Sequence, residues 1–145
     1  MSDTITVTRT FSAPRERVFA AWTTPEQFSA WFGTAAVEVP MQTLSLDVRV
    51  GGQWEAVMHL PGGDTINWAG EYSVVDPPAQ LVFTMTDQPG TDPGAPITVD
   101  FVAVDGGTEM TLVQPAGDFT AEQQAATAAG YQGFFDVMEE LVTEG

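Results

Sequence analysis

Apolar and polar positions alternate through Val50 to Leu60, VGGQWEAVMHL: Trp54, Ala56, Met58 and Leu60 point one way, Gln53, Glu55, Val57 and His59 the other. A period of two is the pattern of a strand with one buried face. That face is bulky and soft rather than Val/Ile-rich, so it can either fill a core or line a pocket. The same alternation opens the chain. Ile5, Val7 and Phe11 interleave with Thr4, Thr6, Thr8 and Thr10, predicting a first strand whose threonine face meets water.

The period then changes. SAPRERVFAAW predicts a helix, with Ser12 as candidate N-cap, Pro14 in the first turn, and Val18, Phe19 and Trp22 at helical spacing. TTPEQFSAWFG repeats the pattern in miniature: Thr24 caps, Pro25 enters, Phe28, Trp31 and Phe32 share a side, and Gly33 stops. From Val37 the pattern is β. Parity switches between Val37/Val39/Met41 and Leu44/Leu46/Val48 near Pro40, predicting a bulge or a break. PGGD (61–64) predicts a hairpin into TINWAGEYSVVD, where Trp68, Gly70, Tyr72 and Val74 share a face. DPPAQ turns into LVFTMT, and QPGTDPGAP (88–96) reads as a polar loop. ITVDFVAV, with Ile97, Val99, Phe101 and Ala103 on one face, and TEMTLVQP form a last hairpin.

Residues 120–142 are rich in helix formers. Thr120 is the candidate cap, and Thr127, Tyr131, Phe134, Met138 and Leu141 fall at spacings of three and four. Gly130 and Gly133 lie mid-helix, each costing about 1 kcal/mol of propensity relative to Ala, which suggests close approach or room beside them. The order predicts an α+β fold. A curved antiparallel sheet of six to seven strands wraps around a long C-terminal helix, with two short helices after the first strand, in one domain over residues 1–145.

Composition narrows the chemistry. The 145 residues contain no Cys, which excludes thiolate catalysis, disulfides and Cys-based metal sites. Twenty Asp and Glu face four cations, all arginines (Arg9, Arg15, Arg17, Arg49), for a net charge of −16. Such a charge repels phosphate backbones and anionic lipid, so neither nucleic acid nor a membrane is an expected partner. The N-terminus does not read as a signal peptide, and no apolar run approaches the ~18 residues of a membrane span. The expected location is cytoplasmic, as monomer or homodimer.

FSAPRERVFAAWTTPEQFSAWFG (11–33), DVRVGGQWEAVM (47–58), WAGEYSVVDPPAQLVFTM (68–85), GTEMTLVQ (107–114) and GYQGFFDVMEEL (130–141) occur in this order. Together they resemble the homologues of the activator of the 90-kDa heat-shock protein ATPase, within the START-like superfamily. The resemblance implies the helix-grip fold, in agreement with the element order. It does not imply one activity, because the superfamily includes lipid and hormone carriers, cyclases, dehydratases, hydrolases and a chaperone co-activator. The eukaryotic co-activator carries an additional N-terminal domain for which this length leaves no room, so chaperone contact is the lesser expectation. Tyr131 stands where the family has Trp, and the histidine usual shortly before that position is missing.

Conventional catalytic sets are hard to assemble. His59, the single histidine, lies opposite Trp54 and Met58, and no Ser-His-Asp set forms around it. Zinc or copper lacks ligands, and GTDPGAP lacks the dense acids of a calcium loop. Glu55 and Glu71 lie off the faces of Trp54 and Tyr72, and Arg49 is expected outside. Gly51–Gly52, Gly62–Gly63 and Gly106–Gly107 are turn chemistry. Arg9 shares the parity of Ile5 and Phe11, so it points inward and requires a carboxylate, a rim position or an acidic ligand.

The aromatic and methionine residues remain. The expected function is binding of an apolar or weakly polar small molecule between sheet and last helix, with no cofactor. Its expected contacts are Trp54, Met58, Trp68, Tyr72, Phe83, Tyr131, Phe135 and Met138, with Arg9 as a possible anchor and hydrogen bonds from Tyr72 or Tyr131. The alternatives are an interaction protein of co-chaperone or stress-response type, and a cyclase or dehydratase using the same cavity.

Overall fold

Strand β1 (Thr4–Phe11) leads into helices α1 (Arg15–Thr23) and α2 (Pro25–Phe32). A 3-10 turn at Met41–Thr43 follows, then β2 (Ser45–Leu46), β3 (Gln53–His59), β4 (Thr65–Asp76), β5 (Gln80–Phe83), β6 (Ile97–Val104), β7 (Gly107–Pro115) and α3 (Ala121–Thr143). This computed structural model describes residues 4–32, 38–86, 96–115 and 120–143; the expectations for Gly33, Val37 and most of the 88–96 loop lie outside them. The seven strands form one antiparallel sheet in the order β1-β7-β6-β5-β4-β3-β2. Successive hairpins account for the run from β2 to β7, and β1 returns alongside β7 with Arg9 opposite Met110 and Phe11 opposite Thr108.

Period-two reading holds along β1 and β3. Ile5, Val7 and Phe11 are buried between exposed threonines, and Trp54, Ala56 and Met58 are buried while Gln53, Glu55 and His59 are exposed. It fails in β4. The register shifts between Tyr72 and Val74, so Val75, opposite Leu81, packs on the core where Val74 was expected. An extra residue in one strand inverts the parity of everything beyond it. On β6, Ile97, Val99 and Phe101 are buried, but Ala103 is exposed, because the strand runs past the edge of the core.

The expected break at Pro40 is the 3-10 turn, with Val39 buried on one side of it and Met41 exposed on the other. Helix α1 differs from expectation at its start. Pro14, not Ser12, occupies the cap position, and its carbonyl accepts from the backbone N–H groups of Arg17 and Val18 without a side-chain cap. Thr120 does cap α3: its Oγ1 accepts from the Gln123 N–H (3.1 Å), and Gln123 Oε1 accepts from the Thr120 N–H (2.9 Å). This reciprocal pair satisfies two donors at the helix start.

Helix α3 buries Tyr131, Phe135, Met138 and Val142. The buried stripe is thus rotated about one position from the expected one, leaving Phe134 and Leu141 half-buried at its margin. Gly130 and Gly133 are exposed, and a Cβ at either meets nothing within 4 Å. Neither serves close approach, and neither faces the sheet. Gly107 is different: a Cβ there would fall 1.9 Å from the Phe11 carbonyl oxygen, so only glycine lets β7 pass β1.

Candidate ligand-binding cavity

Helices α1 and α2 pack their aromatic sides towards the same space that β3, β4 and β5 face from below. Trp22, Phe28, Trp31 and Phe32 come from the helices, Trp54, Tyr72, Leu81, Phe83 and Met85 from the sheet side, and Tyr131 from α3. These ten residues line a cavity of about 20 Å³. Eight of the ten are aromatic and none is charged. Much of the space is taken up by the rings themselves. Trp22 and Trp31 meet edge-on at 4.6 Å between centroids, and Phe28 and Phe32 stack at 4.7 Å.

The lining polar groups are mostly occupied. Trp22 Nε1 donates to Met110 Sδ (3.2 Å), Trp31 Nε1 to the Ala21 carbonyl (2.6 Å) and Trp54 Nε1 to the Thr84 carbonyl (3.0 Å). Gly70 makes the Trp54 bond possible: a Cβ at that position would lie 2.5 Å from Trp54 Nε1 and 1.8 Å from the Thr84 oxygen. Tyr131 Oη donates to Gln114 Oε1. Burial pushes the Tyr131 hydroxyl pKa above its ordinary value, and burial followed by the charge of Asp47 does the same for Tyr72. Both stay neutral phenols.

Of the expected contacts, Trp54, Tyr72, Phe83 and Tyr131 come together on the cavity wall. Met58 lies on β3 opposite Ile66, in the core but off this wall. Phe135 and Met138 are fully buried, with Phe135 packed against Phe11, Trp22, Trp31 and Tyr131. They plug the region beneath α3 that was expected to be open. Trp68 is half-buried beside Phe32, and its Nε1 is the one buried side-chain nitrogen or oxygen without a partner among the described residues.

Arg9 points inward and is held by α3. Its Nη1 lies 2.7 Å from Asp136 Oδ1 and donates to Gln132 Oε1 (3.0 Å), and its Nη2 donates to Glu139 Oε1 (2.6 Å). The guanidinium is anchored to protein carboxylates, away from the cavity. The contribution of α2 was legible as the 28/31/32 spacing, but its convergence with Leu81 and Tyr131 was not. Thr108 was missed entirely. It is fully buried, and its hydroxyl donates to the Ala13 carbonyl (2.7 Å), pinning the approach to α1 against β7.

Among the described residues Thr108 is the only buried polar or charged residue, so no buried carboxylate faces either tyrosine. No group of three potential ligands could hold a metal, and no helix is long and apolar enough to cross a membrane, again among the described residues.

A seven-stranded antiparallel sheet, gripped by a long terminal helix over an aromatic-lined void, defines the START-like helix-grip class. Residues 12–143 match the family model described as Activator of Hsp90 ATPase homolog 1-like protein, and the chain belongs to that family. No curated protein matches it. Among solved structures, a Chromobacterium violaceum protein is similar at 23% identity, with 98% of each chain covered and a TM-score of 0.84. A Staphylococcus epidermidis protein is 27% identical, covering 98% of this chain and 90% of its own, with a TM-score of 0.81. The AHSA1-like protein of Aeromonas hydrophila is 24% identical, covering 97% and 92%, with a TM-score of 0.80.

Proposed function

We propose that the chain binds a small apolar or weakly polar molecule between the sheet and α3. The observation that carries this reading is the unfilled, uncharged space among eight aromatic side chains drawn from five elements and α3. An aromatic wall with few polar groups is the usual lining of a small-molecule site. At about 20 Å³ the void has room for roughly one water. Drug-sized ligands occupy pockets of roughly 300–1,000 Å³, so binding requires the rings or α3 to move apart.

Thermal denaturation against a panel of lipids, flavonoids and polyketides tests the reading. A ligand at 100 times its dissociation constant adds about 2.7 kcal/mol and raises the midpoint. The indole N–H resonances of Trp31 and Trp54 should shift with it. If no compound moves either signal, the binding reading fails.

A further inference from the structure

Among the described residues, one buried side-chain nitrogen or oxygen has no hydrogen-bond partner: the indole Nε1 of Trp68. The ring is half-buried, but this nitrogen is shut off from water, so it faces protein that offers it no acceptor. A buried donor left unpaired is unfavourable, and any group that accepts its proton recovers the lost bond. On the cavity wall, by contrast, the three indole N–H groups are taken, by Met110 Sδ and the carbonyls of Ala21 and Thr84.

Trp68 stands beside the mouth of the cavity. Nine of the ten wall residues are buried and Met85 is half-buried, so the void comes nearest to solvent there. Gly70 lies opposite Met85, because Ala69 pairs with Thr86 and the Glu71 carbonyl accepts from the Thr84 N–H. Trp68 is two residues from Gly70 on the same face of β4, and its pairing with the buried Ala56 turns that face to the core. Gly70 has no side chain to stand between Trp68 and Met85. The Trp68 indole also meets the Phe32 ring edge-on, 6.3 Å between centroids, and Phe32 belongs to the wall. Widening the void past Phe32 or Met85 therefore brings it to the Trp68 indole. No wall residue is charged, so a carboxylate there would lose its hydration and gain no cation.

We propose that Trp68 is the specificity-determining residue at the cavity mouth, its indole N–H receiving one hydrogen-bond acceptor of an uncharged ligand whose apolar body lies among the aromatic side chains. The proposal rests on the binding reading above and gives it a ligand class.

Three probes of nearly one shape test it: acetophenone carries the acceptor, α-methylstyrene replaces its oxygen with CH₂, and benzoate carries the charge. Dissociation constants are measured by NMR titration on the full chain and on Trp68→Phe. Loss of the indole should weaken acetophenone relative to α-methylstyrene roughly five- to tenfold. The ratio removes the change in ring size, which both neutral probes feel. The Trp68 indole proton, assigned by its disappearance in Trp68→Phe, gives a second readout on the unmodified chain. It should move downfield with acetophenone and not with α-methylstyrene, and benzoate should not bind at neutral pH. An unchanged ratio, an indole proton that responds alike to both neutral probes, or benzoate binding as tightly as acetophenone each overturn the inference while leaving the binding reading standing. Failure of acetophenone to bind overturns the inference as well, and the wider panel then decides separately whether the binding reading survives.

Discussion

The two halves of α3 are held in different ways. Over Ala121–Gly130 most side chains are exposed, with only Gln124, Thr127 and Ala128 half-buried, and the helix starts on the Thr120–Gln123 capping pair. Over Tyr131–Val142, four side chains are buried and two arginines grip the helix from outside, Arg9 from β1 and Arg17 from α1 through the Leu141 carbonyl. The first half contains five alanines and forms helix with little tertiary support, whereas the second stays helical around Gly133 because packing holds it. Propensity makes the first half helical. Burial fixes where the second half lies.

The largest expected effect breaks the packed half. Phe135→Ala removes a fully buried ring and should cost about 3–5 kcal/mol in urea denaturation, while Ala126→Ser in the exposed half should stay within about 0.5 kcal/mol. Similar losses at both positions would dissolve the contrast.

Alkaline titration probes the boundary between the halves, where Tyr131 sits. The unfolded chain loses its tyrosine protons near pH 10, but burial keeps Tyr72 and Tyr131 protonated in the fold beyond that point. Their contribution to stability is complete below about pH 10 and declines as pH rises, by up to about 1.4 kcal/mol per pH unit for each tyrosine. Tyr131→Phe should halve that slope; an unchanged slope would assign it elsewhere.

Smaller effects sharpen the comparison. Arg9→Gln should cost about 1 kcal/mol, because Asp136 is 69% exposed and water screens the pair. The difference from the parent chain should shrink in high salt. Gly130→Ala and Gly133→Ala should each stabilise by about 0.5–1 kcal/mol, since the added methyl meets open space and helix propensity improves. Destabilisation by either would mean that the glycine serves a packing role.

Much of the fold was legible because local patterns are strong where one face is buried. β1, β3, the two short helices and the Thr120 cap all follow from spacing and residue type. The inward direction of Arg9 was likewise legible from parity, but its carboxylate partners were not, since Asp136 and Glu139 lie more than 120 positions away. Four of the eight expected aromatic and methionine contacts lie off this cavity wall for a related reason. Sequence spacing says that one side of α3, Met138 included, faces inward, but not whether inward means a void or a solid core.

By itself, then, the chain's pattern determined the order of elements, the faces of its early strands and the absence of thiol chemistry, all consequences of local periodicity and composition. Tertiary structure alone decided the bulge that turned Val75 inward, the rotation of the buried stripe on α3 and the occupation of Tyr131 by Gln114. Those outcomes depend on which distant side chains compete for the same space and the same hydrogen bonds, and no spacing along the chain encodes that competition.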